Sequence, residues 1–142
     1  MRGRCELRCR PYWVNRSLAR VLLGQNTADW DDRSAPPSSW SAGITELEVL
    51  HSARSAKSRA RLKEALDAHC VWCPMPGGIY RRSRVVQEQL TAKGEHRSAD
   101  PVGLLVAAAV AEAGLTLLHH DRGFDTIART TGQPVRTIDL RP

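Results

Sequence analysis

No stretch of this sequence is apolar for long enough to cross a lipid bilayer. The longest uninterrupted apolar run covers eight residues, 104–111, whereas a membrane-spanning helix needs about 20. The basic start, MRGRCELRCRPYW, has no apolar segment behind it, so we do not expect a secretory signal. These two absences lead us to expect a cytoplasmic protein that does not associate with a membrane.

Cysteine is scarce and widely spaced. Cys5 and Cys9 form one pair and Cys70 and Cys73 another, with 60 residues between the pairs. That separation is far larger than in compact zinc fingers. A zinc site split between the two pairs and a redox pair at Cys70 and Cys73 both stay open, but reduced cytosolic thiols are the favoured interpretation.

Positive charge exceeds negative charge. The 142 residues carry a formal net charge of +6, and arginine provides most of the cations. A basic surface favours polyanions because counterions are released on binding, and the arginine fork matches phosphate oxygens. Many basic proteins bind no nucleic acid, however, so charge favours an RNA or DNA partner only modestly.

The order of elements predicts one α/β domain over residues 11–142, preceded by a loose basic arm, 1–10, that need not be ordered. Helix, short loop and strand alternate along the chain, a pattern typical of a parallel sheet sandwiched by helices. The predicted strands cover 12–14, 70–75, 115–119 and 134–138. The predicted helices cover 17–23, 44–53, 56–68, 79–92, 101–113 and 123–131.

Two details of this prediction depend on local pattern alone. Residues 25–40 are rich in Asp, Ser and Pro and lack apolar periodicity, which predicts a long loop. In the helix after it, Ile44, Leu47 and either Leu50 or His51 fall on one stripe. That stripe is the predicted buried face.

Acidic residues cluster where a buried strand ends, in TLLHHDRGFD (116–125). Ligands of open parallel sheets bind beyond the carboxyl ends of the strands, where Asp121 lies and where Asp125 follows one helical turn later. Glu48, on an early helix, is close enough in the predicted fold to join them. Converging carboxylates repel one another unless a cation is present, and Mg²⁺ or Mn²⁺ suits oxygen ligands. From the residues alone, a turn-capping Asp121 and a solvated Asp125 fit equally well.

Two groups of arginines are candidates for contacting a phosphate backbone. One group lies on the helix predicted over 56–68, and the other crowds the start of the helix predicted over 79–92, where positive charge opposes the helix macrodipole. A solvated helix face is the simpler explanation of both. The candidates are Arg59, Arg61, Arg81, Arg82 and Arg84.

The same segments resemble the VapC-type PIN-domain toxins, the ribonuclease partners of bacterial toxin–antitoxin pairs. The stretch GLTLLHHDRGFDTIARTTGQPV (114–135) carries the strongest resemblance, and KGEHRSADPVGLLVAAAVAEA (93–113) resembles the helix before it. GITELEVLHSAR (43–54) resembles the second acidic motif of the family, and YWVNRSLAR (12–20) resembles the first motif less closely.

The resemblance implies a three-layer α/β/α fold with a central parallel sheet and four acidic residues around Mg²⁺ or Mn²⁺. It implies RNA cleavage by metal-activated water, with Glu48 as the second acid and Asp121 as the fourth. Asp125 matches an additional acidic position found in many members. The first acid is replaced by Asn15, which keeps a carbonyl oxygen for a metal, and the third is replaced by Gly103, which provides no ligand. Asp100, one turn upstream, is a candidate substitute, although an N-cap role before Pro101 explains it better.

Three hypotheses follow. In the first, the protein is an endoribonuclease toxin of a type II pair that cuts structured RNA such as tRNA or rRNA, binds a cognate antitoxin near the acids and forms a homodimer. In the second, it is a degenerate PIN domain that binds RNA or an antitoxin without cutting. The third, independent of the resemblance, is a small basic α/β binding domain, with zinc at the cysteine pairs as one variant.

Overall fold

The computed structural model describes residues 12–14, 39–41, 43–72 and 75–137, with the side chains of 43–67 and 75–137. Five short strands form one sheet in the order β3-β2-β1-β4-β5, and every neighbouring pair is parallel. The strands are β1 (Tyr12–Val14), β2 (Ser39–Ser41), β3 (Cys70–Trp72), β4 (Thr116–His119) and β5 (Val135–Thr137). The order reverses between β1 and β4, because β2 and β3 lie on one side of β1 whereas β4 and β5 lie on the other.

Five α-helices are described between the strands. They are α1 (Gly43–His51), α2 (Ala56–His69), α3 (Ile79–Ala92), α4 (Pro101–Glu112) and α5 (Arg122–Thr131), with a short 3-10 turn at His96–Ser98. Helices α3, α4 and α5 pack on one another, and α1 packs on α2. Among the described helices, none has the length and apolar character needed to cross a membrane.

Adjacent residues of β4 show that helices cover both faces of the sheet. Leu117 is completely buried and belongs to the main apolar core, which the helices α3, α4 and α5 line. Leu118 is also buried but lies outside that core. Since successive side chains of a strand point to opposite faces, the second face is covered as well. The expected three-layer α/β/α fold with a central parallel sheet is confirmed.

Helix α4 begins as its sequence predicts. Asp100 is the N-cap residue, its carboxylate accepts a hydrogen bond from the backbone N–H of Gly103, and Pro101 occupies the first helical position. Six residues between 104 and 110 are buried, so this helix is surrounded on more than one side, as expected. The chain turns out of the helix at Gly114, whose φ of +69° favours glycine.

The predicted loop over 25–40 is wrong at its end, because Ser39–Ser41 forms β2. Three residues, SWS, are too few to show an alternating pattern. The segment is a strand because β1 and β3 flank it and satisfy its backbone hydrogen bonds on both sides. Of the strand predicted over 70–75, Cys70–Trp72 forms β3 and Met75 is not in a strand, whereas 73–74 lie outside the described residues. The other described helices and strands agree with the prediction to within a few residues.

The predicted buried stripe of α1 is wrong at Leu47 and His51, although Ile44 does pack against the core. Leu47 is 69% exposed and His51 is exposed, whereas Thr45 and Val49 are completely buried. Thr45 and Val49 are four residues apart and share a face, and this face is turned to the rest of the protein. A threonine at its centre hides the face from a pattern that counts only apolar residues.

Several expectations concern residues outside those described. They include the basic arm 1–10, the helix at 17–23, most of the 25–40 loop, and Cys5, Cys9 and Cys73. Neither cysteine hypothesis is therefore tested.

Candidate functional site

The acid-bearing loop after β4 lies at the point where the strand order reverses. Ligands of open α/β sheets bind outside the carboxyl ends of the strands at such a switch point. Val14, which ends β1, pairs with Leu118 of β4, and β4 continues by one residue before the loop that contains Asp121. Asn15 follows β1 directly in the sequence but lies outside the described residues.

Asp121 is the N-cap of α5. Its backbone is extended, and its Oδ1 accepts a hydrogen bond from the backbone N–H of Gly123 at 2.8 Å. The turn-capping role, which fitted the sequence as well as a metal role did, is therefore present. A carboxylate has two oxygens with several acceptor positions, so one capping bond does not by itself exclude a metal role.

His119 connects the two aspartates of this loop. Its ring is completely buried, and Nδ1 accepts a hydrogen bond from the backbone N–H of Asp121 at 3.1 Å. Its Nε2 lies 3.3 Å from Oδ1 of Asp125, a close polar contact that is not aligned well enough to count as a hydrogen bond. An imidazole that accepts at Nδ1 carries its proton on Nε2 when neutral, so that proton faces Asp125. The ring also packs near that of Phe124, tilted by 56° and with ring centroids 5.3 Å apart.

Burial lowers the pKa of His119 below its usual 6.5, although the carboxylates of Asp125 and Asp121 act in the opposite direction. Desolvation wins because the charged imidazolium would lose its water inside the fold. His119 is therefore neutral at pH 7 in the folded protein.

This lowered pKa predicts that stability falls with pH below about 6.5. There the unfolded chain binds a proton at His119 that the folded protein rejects, which costs up to about 1.4 kcal/mol per pH unit. Urea unfolding in metal-free buffer between pH 7.5 and 5 should show wild type losing stability more steeply than His119→Asn. Asparagine has no such proton to gain, so equal slopes would contradict the prediction.

A small cavity of about 160 Å³ brings Asp121 together with the start of α4. Its polar lining includes Asp100, Asp121 and Arg97, and Gly103 forms part of its wall. Helices α4 and α5 both begin at this cavity, and each is capped by an aspartate. Arg97 was not among the predicted site residues, because only the turn at His96–Ser98 brings it to the cavity.

The position of Gly103 is crowded by Asp100. A Cβ atom at residue 103 would lie 3.0 Å from Oδ1 of Asp100 and 3.8 Å from a ring carbon of Phe124. The N-cap conformation folds the Asp100 carboxylate back over the first turn of α4. The carboxylate therefore occupies the space into which a side chain at residue 103 would begin to project.

The other predicted acids are not gathered at this cavity. Glu48 is half-buried in the second turn of α1, and Asp125 is directed toward His119. Within 43–67 and 75–137, where side chains are described, no three His, Cys, Asp or Glu side chains are placed to hold one metal ion. The expected convergence of Glu48, Asp121 and Asp125 as a three-carboxylate centre is thus not seen among these residues.

The candidate arginines divide between different parts of the surface. Arg81 and Arg82 line a separate cavity of about 900 Å³ that also contacts Glu112 and Thr131, the last residues of α4 and α5. Those helices have 12 and 10 residues, so this cavity lies about 15 Å or more from their starts. Arg84 is exposed on the same helix, and Arg59 and Arg61 are exposed near the start of α2.

No protein-family model matches the chain, but individual relatives do. It is 34% identical over 128 residues to "Ribonuclease VapC2" of Mycobacterium tuberculosis, covering 89% of this chain and 90% of the relative. It is 36% identical over 100 residues to "Ribonuclease VapC21", covering 68% of this chain and 70% of the relative. It is 41% identical over 95 residues to "Ribonuclease VapC51", covering 67% of this chain and 68% of the relative; both relatives are from the same species.

Two solved structures share the fold at low sequence identity. One is VapBC2 from Rickettsia felis bound to a DNA fragment from its promoter, with a TM-score of 0.72 and 12% identity over 90% of this chain and 98% of that one. The other is VapBC-5 from Mycobacterium tuberculosis, described as a member of the VapBC family of toxin–antitoxin systems. Its TM-score is 0.59, with 19% identity over 92% of this chain and 99% of that one. On the strength of the sequence relatives, this chain belongs to the VapC family of PIN-domain toxins.

Proposed function

We propose that this protein is a divalent-metal-dependent endoribonuclease, the toxin of a type II toxin–antitoxin pair, working with a reduced set of acids. The observation that carries the proposal is the position of Asp121 at the switch point of the sheet, in a cavity that it shares with the start of α4. Relatives named as ribonucleases support the reaction class.

The residues present fit Mg²⁺ or Mn²⁺ in donor chemistry. The cavity offers carboxylate oxygens from Asp121 and Asp100, and Mg²⁺ is commonly held by one or two carboxylates together with waters and substrate phosphates. We assign Asp121, the side-chain carbonyl of Asn15 and Glu48 to the ion, and Glu48 would have to reach it from α1, outside the lining of the cavity. Asp125, also proposed as a ligand, would have to reach it from its place beside His119. The bound ion would supply an activated water and neutralise charge in the phosphoryl transition state.

The protein's own groups prepare Asp121 for this role. The N–H of Gly123 holds one of its carboxylate oxygens, and the buried ring of His119 holds its backbone. A carboxylate fixed in this way needs little reorganisation when the reaction begins.

The surroundings of the cavity favour an incoming phosphate. The amino ends of α4 and α5 carry partial positive charge, and Arg97 adds a full charge at the rim. Arg59 and Arg61 are exposed and available to a phosphate backbone. Arg81, Arg82 and Arg84 lie on the helix that borders the distant cavity, so any contact of theirs with RNA is expected away from the cleaved bond.

We propose a cognate antitoxin as protein partner, since the solved structures of the same fold are toxin–antitoxin assemblies. An antitoxin segment with an arginine directed at the acids would block the cavity by neutralising Asp121. Structured RNA such as tRNA or rRNA as substrate and a homodimeric assembly are part of the same proposal.

The second candidate function is a degenerate PIN domain that binds RNA or an antitoxin without cutting. Two observations favour it: Gly103 provides no side chain, and no three metal-ligating residues converge within the described ranges. Asn15 in place of an acid also favours the non-cutting function, because one negative charge for holding the metal is missing.

Metal dependence separates the two functions. We expect the purified protein to cut structured RNAs in Mn²⁺ or Mg²⁺, to stop in EDTA, and to resume when the ion is restored. If wild type does not cut but Asn15→Asp combined with Gly103→Asp does, the scaffold is a nuclease that has lost its metal site, and the binding function is correct. If cutting persists in EDTA, metal dependence is wrong.

A further inference from the structure

We propose that Asp100 supplies the carboxylate that Gly103 does not, so that residues 100 and 103 have in effect exchanged the role of metal ligand. This inference rests on the proposed function, because it concerns the same cation. It adds a ligand, one helical turn before the place where the family has one.

Geometry places the Asp100 carboxylate at the required point. Its Oδ1 lies 3.0 Å from the position that a Cβ of residue 103 would take, and the residue lines the same cavity as Asp121. An acid at residue 103 would start from that spot and project into the cavity. The Asp100 side chain reaches the same region from the N-cap position.

Capping leaves this carboxylate able to bind a cation. One oxygen accepts the hydrogen bond from the N–H of Gly103, and the Asp100 carboxylate makes no other polar contact within the described part of the chain. An ionised carboxylate has about four acceptor positions. The second oxygen can therefore face an ion while the first continues to cap α4.

The glycine is part of this arrangement. Any side chain at residue 103 would push its Cβ against the Asp100 carboxylate at a distance shorter than ordinary van der Waals contact. Gly103 thus leaves room for Asp100 to lie over the first turn of α4.

The test compares Mn²⁺ binding by wild type, Asp100→Ser, and Asp100→Ser combined with Gly103→Asp. Serine caps a helix about as well as aspartate but brings no carboxylate, so the cap is retained while the proposed ligand is removed. Free Mn²⁺ is followed by electron paramagnetic resonance, and thermal unfolding without metal checks that each variant is folded. Asp67→Asn is the charge control, since Asp67 is an exposed acid on α2 that pairs with Lys63.

We expect Asp100→Ser to weaken Mn²⁺ binding by about tenfold or more, with a thermal midpoint within about 2 °C of wild type. The double variant should recover to within about threefold of wild type, because its carboxylate returns from residue 103. Asp67→Asn should bind as wild type does.

Two results would overturn the inference while leaving the proposed function intact. One is wild-type affinity in Asp100→Ser, which would make Asp100 a cap only. The other is a folded double variant that stays as weak as the single variant. If wild type itself fails to bind Mn²⁺, the metal-dependent function and this inference are both wrong.

Discussion

Replacing Asp121 with asparagine should lower metal-dependent RNA cleavage by about 100-fold or more while leaving the protein folded. Asparagine is as good an N-cap as aspartate and can still accept the hydrogen bond from Gly123, so α5 should begin where it does now. What is lost is the negative charge that the cation requires. Catalytic groups that act as one unit depend on one another, so removing one of them removes most of the activity. The rate of cleavage should therefore fall steeply even though only one charge is lost.

Single-turnover cleavage of a structured RNA in Mn²⁺ measures this loss. Asp121→Asn is introduced into wild type or, if wild type does not cut, into the variant with Asn15→Asp and Gly103→Asp. Asp67→Asn removes one exposed carboxylate from α2 and should leave the rate unchanged. A rate for Asp121→Asn within about threefold of its parent would mean that Asp121 only caps α5. Asp121→Ala should in addition destabilise the fold by about 1 kcal/mol, because alanine cannot cap.

Replacing Gly123 with alanine should destabilise the fold by about 1 to 3 kcal/mol. A Cβ at this position would lie 2.7 Å from the backbone carbonyl oxygen of Ser98. Backbone cannot move aside as a flexible side chain can, so the turn at His96–Ser98 and the start of α5 would have to separate. The N–H of Gly123 that holds Asp121 would move with them, and cleavage should fall as well.

Urea unfolding gives the magnitude, and Gly43→Ala is the matched control. Gly43 also begins a helix, but a Cβ there would meet nothing within 4 Å. Its replacement should be neutral or slightly stabilising, since alanine restricts the unfolded chain more than glycine does. Equal effects of the two substitutions would mean that α5 and the turn can shift apart at little cost.

The loop after β4 shows how far local pattern reaches. Its polar residues after an apolar run predicted a strand end with an acid beyond it, and Asp121 is found there, two residues after β4. Which histidine would matter was not predictable, because His119 and His120 are adjacent and chemically identical. The pleat of β4 decides it: His119 is buried and contacts Asp125, whereas His120 is exposed.

Asp100 and Gly123 show the same limit at longer range. The sequence identified Asp100 as a helix cap, and it is one. That its carboxylate shares a cavity with Asp121 follows only from the packing of α4 beside α5. Nothing near Gly123 in the sequence requires a glycine, since the constraint comes from the carbonyl of Ser98, 25 residues away.

The sequence by itself determined the alternation of helices and strands and the caps at Asp100 and Asp121, because these depend on neighbours within a turn or two of chain. It also indicated the family, through motifs at 12–20, 43–54 and 93–135 that can be compared without a structure. Only the tertiary structure decided that SWS is a strand, that Thr45 rather than Leu47 is buried, and that the starts of α4 and α5 meet at one cavity. These features depend on which elements lie side by side. Strand pairing and helix packing join residues that are far apart in the chain, and local periodicity does not predict such contacts.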